Sequence, residues 1–242
     1  SSILIYLSTF YPIFRGALKE FSSFAAHDLK EPLRKIMVFS ERLEEVVDGT
    51  LRDYALKYLD GLQRAVSSMD ILIEDLLRLS QISSQGSDFK TVDIGKLVDE
   101  VIDDLEATYP NARKSISLTN LPRVEADRTQ MYQLFKNLLS NSLKYGKAEE
   151  STRISIDTET DVDQHILIFI RDNGIGFDEK YKEKIFRPFE RLHSRNQYSG
   201  TGIGLAICKK VVEGHNGDIS VQSQLNTGTI FTIRLPVSRN AS

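Results

Sequence analysis

Between residues 29 and 79, apolar side chains recur alternately four and three positions apart, and few folds can use that spacing. Leu29, Leu33, Ile36, Leu43 and Val47, with Ser40 in register, form one row; after Asp48-Gly49-Thr50 the row resumes at Tyr58, Leu62, Ala65, Met69, Leu72, Leu76 and Leu79. A four-three repeat places its members along one stripe of an α-helix, so the segment reads as two helices joined by a short turn, an antiparallel hairpin. A helix over residues 52–80 would be about 43 Å long at roughly 1.5 Å per residue. A hairpin of that length has apolar surface it cannot bury alone, so two copies should close a four-helix bundle as a homodimer.

The repeat stops at Ser83-Ser84-Gln85-Gly86-Ser87, a small polar run without periodicity that reads as a linker. The expected organisation is a helical lead-in (1–19), an all-α hairpin domain (20–82), a linker (83–88) and an α/β domain (89–242). In the last of these, helix-like segments (94–108, 128–145, 203–214) alternate with strand-like ones (115–118, 153–157, 165–170, 218–222, 229–235). Lysine and arginine number 31 against 34 aspartate and glutamate, a net charge of −3 that argues against a nucleic-acid partner. With Cys208 as the one cysteine, there is no disulfide framework and no cysteine metal cluster, and the four histidines lack zinc-binding spacing. The apolar stretch Ile3 to Phe14 is shorter than the roughly 20 residues needed to cross a bilayer and contains Pro12.

Three segments of the α/β domain carry chemistry. At about 100° per residue on a helix, Asn137, Asn141, Lys144 and Tyr145 share one face, while Met131, Phe135, Leu138, Leu139 and Leu143 take the other. Amide oxygens are hard ligands suited to Mg²⁺ when phosphates complete its shell, a lysine neutralises phosphate, and a tyrosine ring offers a flat surface to a base. The strand-end run Asp172-Asn173-Gly174-Ile175-Gly176-Phe177 supplies a carboxylate able to accept from an exocyclic amine, and two glycines that let backbone approach a ligand. Finally, Gly200-Thr201-Gly202-Ile203-Gly204-Leu205 precedes a helix whose first amides can hold phosphate oxygens. It is neither a Walker loop nor a dinucleotide fingerprint.

In this order, Asn137-Leu-Leu-Ser-Asn141-Ser-Leu-Lys144-Tyr145, Asp172-Asn-Gly174-Ile-Gly176, Phe186-Arg-Pro-Phe189 and Gly200-Thr-Gly202-Ile-Gly204-Leu205 resemble the N, G1, F and G2 boxes of histidine kinases, over residues 90–236. The resemblance implies the α/β sandwich of the histidine kinase, gyrase and chaperone ATPases, with ATP and Mg²⁺ as cofactors. It implies that Asn141 holds the metal with Asn137 nearby, Lys144 lies near the phosphates, Tyr145 lies against adenine and Asp172 reads its amine. Gly174, Gly176, Gly202, Gly204 and Leu205 would then line the nucleotide, Thr229 after Gly228 would lie near adenine, and Arg191 would reach the γ-phosphate. Residues 178–201 would form a mobile lid.

His27-Asp28-Leu29-Lys30-Glu31-Pro32-Leu33 resembles the H box of the same family. That likeness implies phosphorylation of His27, with Asp28 orienting the ring, then transfer to an aspartate of a response regulator receiver domain. A neutral imidazole whose one N–H is held by a carboxylate is a competent nucleophile through its other nitrogen. Pro32 removes an amide hydrogen and should bend the helix beside His27. Glu31 departs from the Thr or Asn that many members carry there, and an ionised carboxylate cannot donate the hydrogen bond that orients water for dephosphorylating the regulator. The implied setting is a cytoplasmic kinase core, or the cytoplasmic part of a membrane-bound sensor, with the sensor domain outside this chain. The alternatives are a non-catalytic signalling dimer and an ATP hydrolase of the gyrase and chaperone class. Hydrolases of that class use a glutamate base where this chain has Asn137.

Overall fold

The computed structural model describes residues 34–36, 38–39, 52–82, 88–119, 121–147, 152–162, 165–192 and 200–236. The chain divides into two compact units, Ser1–Ser80 and Gln81–Ser242. In the first, helix α1 (Arg52–Gln81) runs unbroken for 30 residues. Ala65, Leu72, Leu76 and Leu79 of the expected row are buried, and Tyr58, Leu62 and Met69 are half-buried beside them. Residues 34–36 and 38–39 are helical as well. The ring of Phe39 lies 6.1 Å from that of Tyr58 and seats against Gly61, where a Cβ would come within 2.7 Å of it. These contacts carry the helix-on-helix packing that the repeat calls for. His27, Asp28, Glu31 and Pro32, the turn at 48–50 and the linker at 83–87 lie outside the described residues.

The second unit contains β1 (Phe89–Asp93), α2 (Ile94–Glu106), α3 (Ala112–Ser115), β2 (Ile116–Leu118), β3 (Arg123–Asp127), α4 (Arg128–Lys144), β4 (Ile154–Thr160), β5 (His165–Asp172), α5 (Gly204–Gly214), β6 (Asp218–Gln224) and β7 (Gly228–Pro236). Two single 3-10 turns, Glu179–Tyr181 and Lys184–Phe186, lie between β5 and α5. The main sheet has strand order β2-β4-β5-β7-β6, antiparallel except for the parallel β2–β4 pair. Its inner face is built by alternation: Ile154 and Ile156, then Ile166, Ile168 and Ile170, then Phe231, Ile233 and Leu235 are buried. Leu97, Val98, Val101 and Ile102 of α2, Met131, Phe135, Leu138 and Leu139 of α4, and Ile207, Val211 and Val212 of α5 are buried with them. Each such side chain contributes about 1.5–3 kcal/mol. Helices α2 and α4 begin where aspartates cap them, Asp93 accepting from the Lys96 amide and Asp127 from that of Gln130.

One feature was not expected from the sequence: β1 and β3 form a separate antiparallel ribbon in which Phe89 pairs with Asp127. Both strands are short and charged, and only Val92, Val124 and Ala126 are buried in them, so alternation is faint. Buried His215 ties this ribbon to α5. Its Nδ1 donates to the Val211 carbonyl at 2.8 Å and its Nε2 accepts the Asp127 amide at 3.1 Å, which fixes a neutral imidazole, and its ring lies 4.7 Å from that of Phe89.

Candidate functional site

Helix α4 sets the site because its two faces differ. Leu134, Phe135, Leu138 and Leu139 anchor it in the core, while Asn137, Asn141, Lys144 and the C-cap Tyr145 stay partly exposed. Beside it β5 ends at Asp172, whose carboxylate is held by three donors. Oδ1 accepts the amides of Gly174 (2.9 Å) and Thr229 (3.2 Å), and Oδ2 accepts the Ser142 hydroxyl at 3.2 Å. Burial pushes the Asp172 pKa up, and these three hydrogen bonds pull against it. The result is an acceptor fixed in orientation, suited to meet a ligand N–H. The Thr229 hydroxyl is in turn paired with Ser223 at 3.1 Å.

The other end of the site is cationic. Lys144 lies over the Tyr145 ring at 4.6 Å, and a Cβ on Gly200 would stand 3.0 Å from its Nζ. Arg191 donates to the Gly200 carbonyl at 2.6 Å. Burial, and then the neighbouring Arg191 guanidinium, lower the Lys144 pKa to about 8. Two cations gathered at Gly200 repel each other, and an anion between them would relieve that repulsion. On the same face of α4, Asn137 donates through Nδ2 to the Gly204 carbonyl at 3.1 Å and accepts from Gln133 Nε2 at 2.9 Å. Helix α5 begins without a side-chain cap, and just before it the Thr201 hydroxyl accepts the Ile203 amide at 3.3 Å.

The structure therefore brings Asp172 together with Gly174, Thr229 and the Tyr145 backbone, Lys144 with the Tyr145 ring, Arg191 with Gly200, and Asn137 with Gly204. Leu205 sits half-buried in the first turn of α5. A Cβ at Gly174 would meet the Tyr145 carbonyl at 2.5 Å, and one at Gly176, where φ is +58°, would strike the Gln224 carbonyl, so both glycines admit the protein's own backbone. Gly202, at φ +76°, packs against Arg191 and the Phe189 backbone. The lid boundary also moves. Ile185, Phe186 and Phe189 are buried and Phe186 meets Phe231 edge-on at 6.5 Å, so the segment through Phe189 is anchored in the core. Residues 193–199 lie outside the described residues.

Two site residues escaped the sequence reading. Ser142 shares the helical row of Met131, Phe135 and Leu138, where a small hydroxyl among apolar positions was the available signal. Gln133 stands one turn before Asn137, at the i, i+4 spacing at which side chains meet. Among the described residues no group of three or more histidine, cysteine or acidic side chains could hold a metal. Asn141, a half-exposed amide on the open face of α4, suits a hard cation whose other ligands are phosphate oxygens and water. Asn137 fits that role less well, since its oxygen already accepts from Gln133. Among the described residues no helix is long and apolar enough to cross a membrane.

Known proteins share both units. Residues 126–239 match the family described as histidine kinase-, DNA gyrase B-, and HSP90-like ATPase, and residues 17–85 match the His Kinase A (phospho-acceptor) domain. Cyanobacterial phytochrome A of Nostoc sp. is 39% identical over 220 residues, covering 91% of this chain and 28% of the relative. The catalytic domain of histidine kinase ThkA superposes with a TM-score of 0.53 at 28% identity, over 64% of this chain and 99% of that one. Histidine kinase ThkA in complex with response regulator protein TrrA gives a TM-score of 0.65 at 23% identity, over 95% of this chain and 66% of that one, a likeness of fold. The chain thus spans under a third of the length of its phytochrome relative.

Proposed function

Because this chain belongs to the histidine kinases, we propose that it binds ATP with Mg²⁺ between α4, Asp172 and α5, transfers the γ-phosphoryl group to His27, and passes it to a receiver aspartate. The observation that carries this reading is the polarity of the site: a fixed carboxylate acceptor, Asp172, at one end and the Lys144–Arg191 cation pair at the other. That polarity matches a base bearing an exocyclic amine joined to a polyphosphate. Asp172 accepts from the adenine amine, Tyr145 lies along the base, and Lys144 and Arg191 neutralise the phosphates. Asn141 would hold Mg²⁺, which when bound would neutralise charge on the phosphates. In the transfer, a ring nitrogen of His27 attacks the γ-phosphorus, an N–P bond forms, the bond to the β–γ bridging oxygen breaks, and ADP leaves. Asp28 holds the proton of the other ring nitrogen. A receiver carboxylate then takes the phosphoryl group, as the complex of ThkA with a response regulator supports.

Hydrolysis is disfavoured because the Asn137 amide has no basic group and is engaged by Gln133 and Gly204. The exposed side chains Leu59, Val66 and Ile73 of α1 support a homodimer closed through the hairpin. Calorimetric titration tests the site directly. Mg-ATP should bind and Mg-GTP should not, because guanine turns a carbonyl toward Asp172, acceptor against acceptor. Equal affinity for the two would contradict the assignment of Asp172.

A further inference from the structure

Gln133 belongs to none of the segments that carry the nucleotide chemistry, yet it touches the residue between the two ends of the site. A backbone carbonyl can only accept, so the atom of the Asn137 amide that faces the Gly204 oxygen at 3.1 Å must be the nitrogen. The Asn137 oxygen then points back along α4, where it meets the Gln133 Nε2 at 2.9 Å. One donor on Gln133 thereby selects one of two amide orientations, and in the other Asn137 would set oxygen against oxygen at Gly204. The backbone just before it is held by the Phe189 amide on the Gly202 carbonyl at 3.0 Å and by the Thr201 hydroxyl on the Ile203 amide at 3.3 Å, and Asn137 adds the hold on Gly204. Helix α5 starts after Ile203 without a side-chain cap, and Gly202 just before it has φ +76°. The Asn137 amide also lies beside the buried thiol of Cys208, whose pKa burial pushes up to about 12 while a hydrogen bond from Asn137 opposes the shift. The Cys208 thiol donates to the Leu134 carbonyl at 3.8 Å and so leaves the Asn137 oxygen to Gln133.

We propose that Gln133 is a positioning residue for the phosphate end of the site: it orients Asn137 so that the asparagine nitrogen clamps the Gly204 carbonyl and holds the first turn of α5 in place. The proposal rests on the ATP reading for its consequence, but the clamp itself exists without nucleotide. The effect of Gln133 passes through Asn137. Gln133→Leu keeps the bulk and removes the donor, while Gln133→Glu keeps the shape and replaces the donor with an acceptor.

The full chain and both variants are titrated with Mg-ATP, and their side-chain amide signals are followed by ¹H–¹⁵N correlation NMR without nucleotide, Asn137 being assigned by loss of its pair in Asn137→Ser. The expected results are affinity weakened about tenfold in Gln133→Leu, the scale of one unsatisfied hydrogen bond, and at least as much in Gln133→Glu. In the wild type one Asn137 side-chain proton should exchange slowly with solvent, and that protection should vanish in both variants. A role in packing alone would spare the isosteric glutamate variant. Wild-type affinity in Gln133→Glu, or an Asn137 amide without a protected proton in the wild type, would overturn the proposal. If the wild-type chain itself takes up no Mg-ATP, it is the ATP reading that fails, and the amide signals decide on Gln133 alone. If a variant fails to fold, the wild type still decides, because the Gln133 Nε2 proton facing the Asn137 oxygen should also exchange slowly, and a Gln133 amide without a protected proton would overturn the proposal.

Discussion

Lys144 is the residue whose chemistry the site disturbs most. Burial and Arg191 disfavour its ammonium form and bring its pKa down to about 8, so it is part neutral in the ligand-free site at that pH. Phosphate oxygens would restore the charge, so ATP binding near pH 8 should take up protons and affinity should fall as pH rises through this interval. Calorimetry in two buffers of different ionisation enthalpy checks this, and Lys144→Met should bind without the uptake. Asn141→Asp is expected to weaken Mg²⁺-dependent binding at least about tenfold, because it sets a carboxylate beside the polyphosphate. Unchanged affinity in that titration would remove the metal-side role given to Asn141. The polar face of α4 was legible because residue spacing along a helix fixes direction. Ser142 was not, because its partner Asp172 lies 30 positions away and only the fold brings a buried hydroxyl to that carboxylate.

At the scale of elements, the segment joining β5 to α5 shows what spacing leaves out. Its polar composition reads as a lid throughout, yet Ile185, Phe186 and Phe189 are buried, and Phe189 takes φ 65° while its amide donates to the Gly202 carbonyl at 3.0 Å. Gly202 is itself at φ +76°, where a Cβ would stand 3.0 Å from the Arg191 side chain and 3.1 Å from the Glu190 carbonyl. Gly202→Ala should therefore destabilise the second unit by about 1–3 kcal/mol in chemical denaturation and speed hydrogen exchange at the Phe189 amide. Strands β4 to β7 were readable from alternation of apolar residues. The β1–β3 ribbon was not, since its stability comes from pairing and from the His215 bridge more than from an apolar face of its own.

For the whole molecule, α1 carries apolar side chains beyond the row that the hairpin buries. Leu59, Val66 and Ile73, seven residues apart, are 45%, 47% and 40% exposed, a second stripe that a second copy would cover. The double substitution of Val66 and Ile73 by glutamate should halve the mass seen by light scattering at micromolar concentration. The second stripe was hidden in the sequence because the stronger four-three row beside it absorbs the pattern. The proposed reaction moves phosphate from ATP to His27 within a homodimer. It is tested most directly by incubating the chain with Mg²⁺ and γ-labelled ATP and following the label in acid and in base. The account predicts a label lost in acid, kept in base and absent from His27→Gln, while that variant still binds ATP. An acid-labile label that survives in His27→Gln, or no label on a wild-type chain that binds ATP, would contradict it.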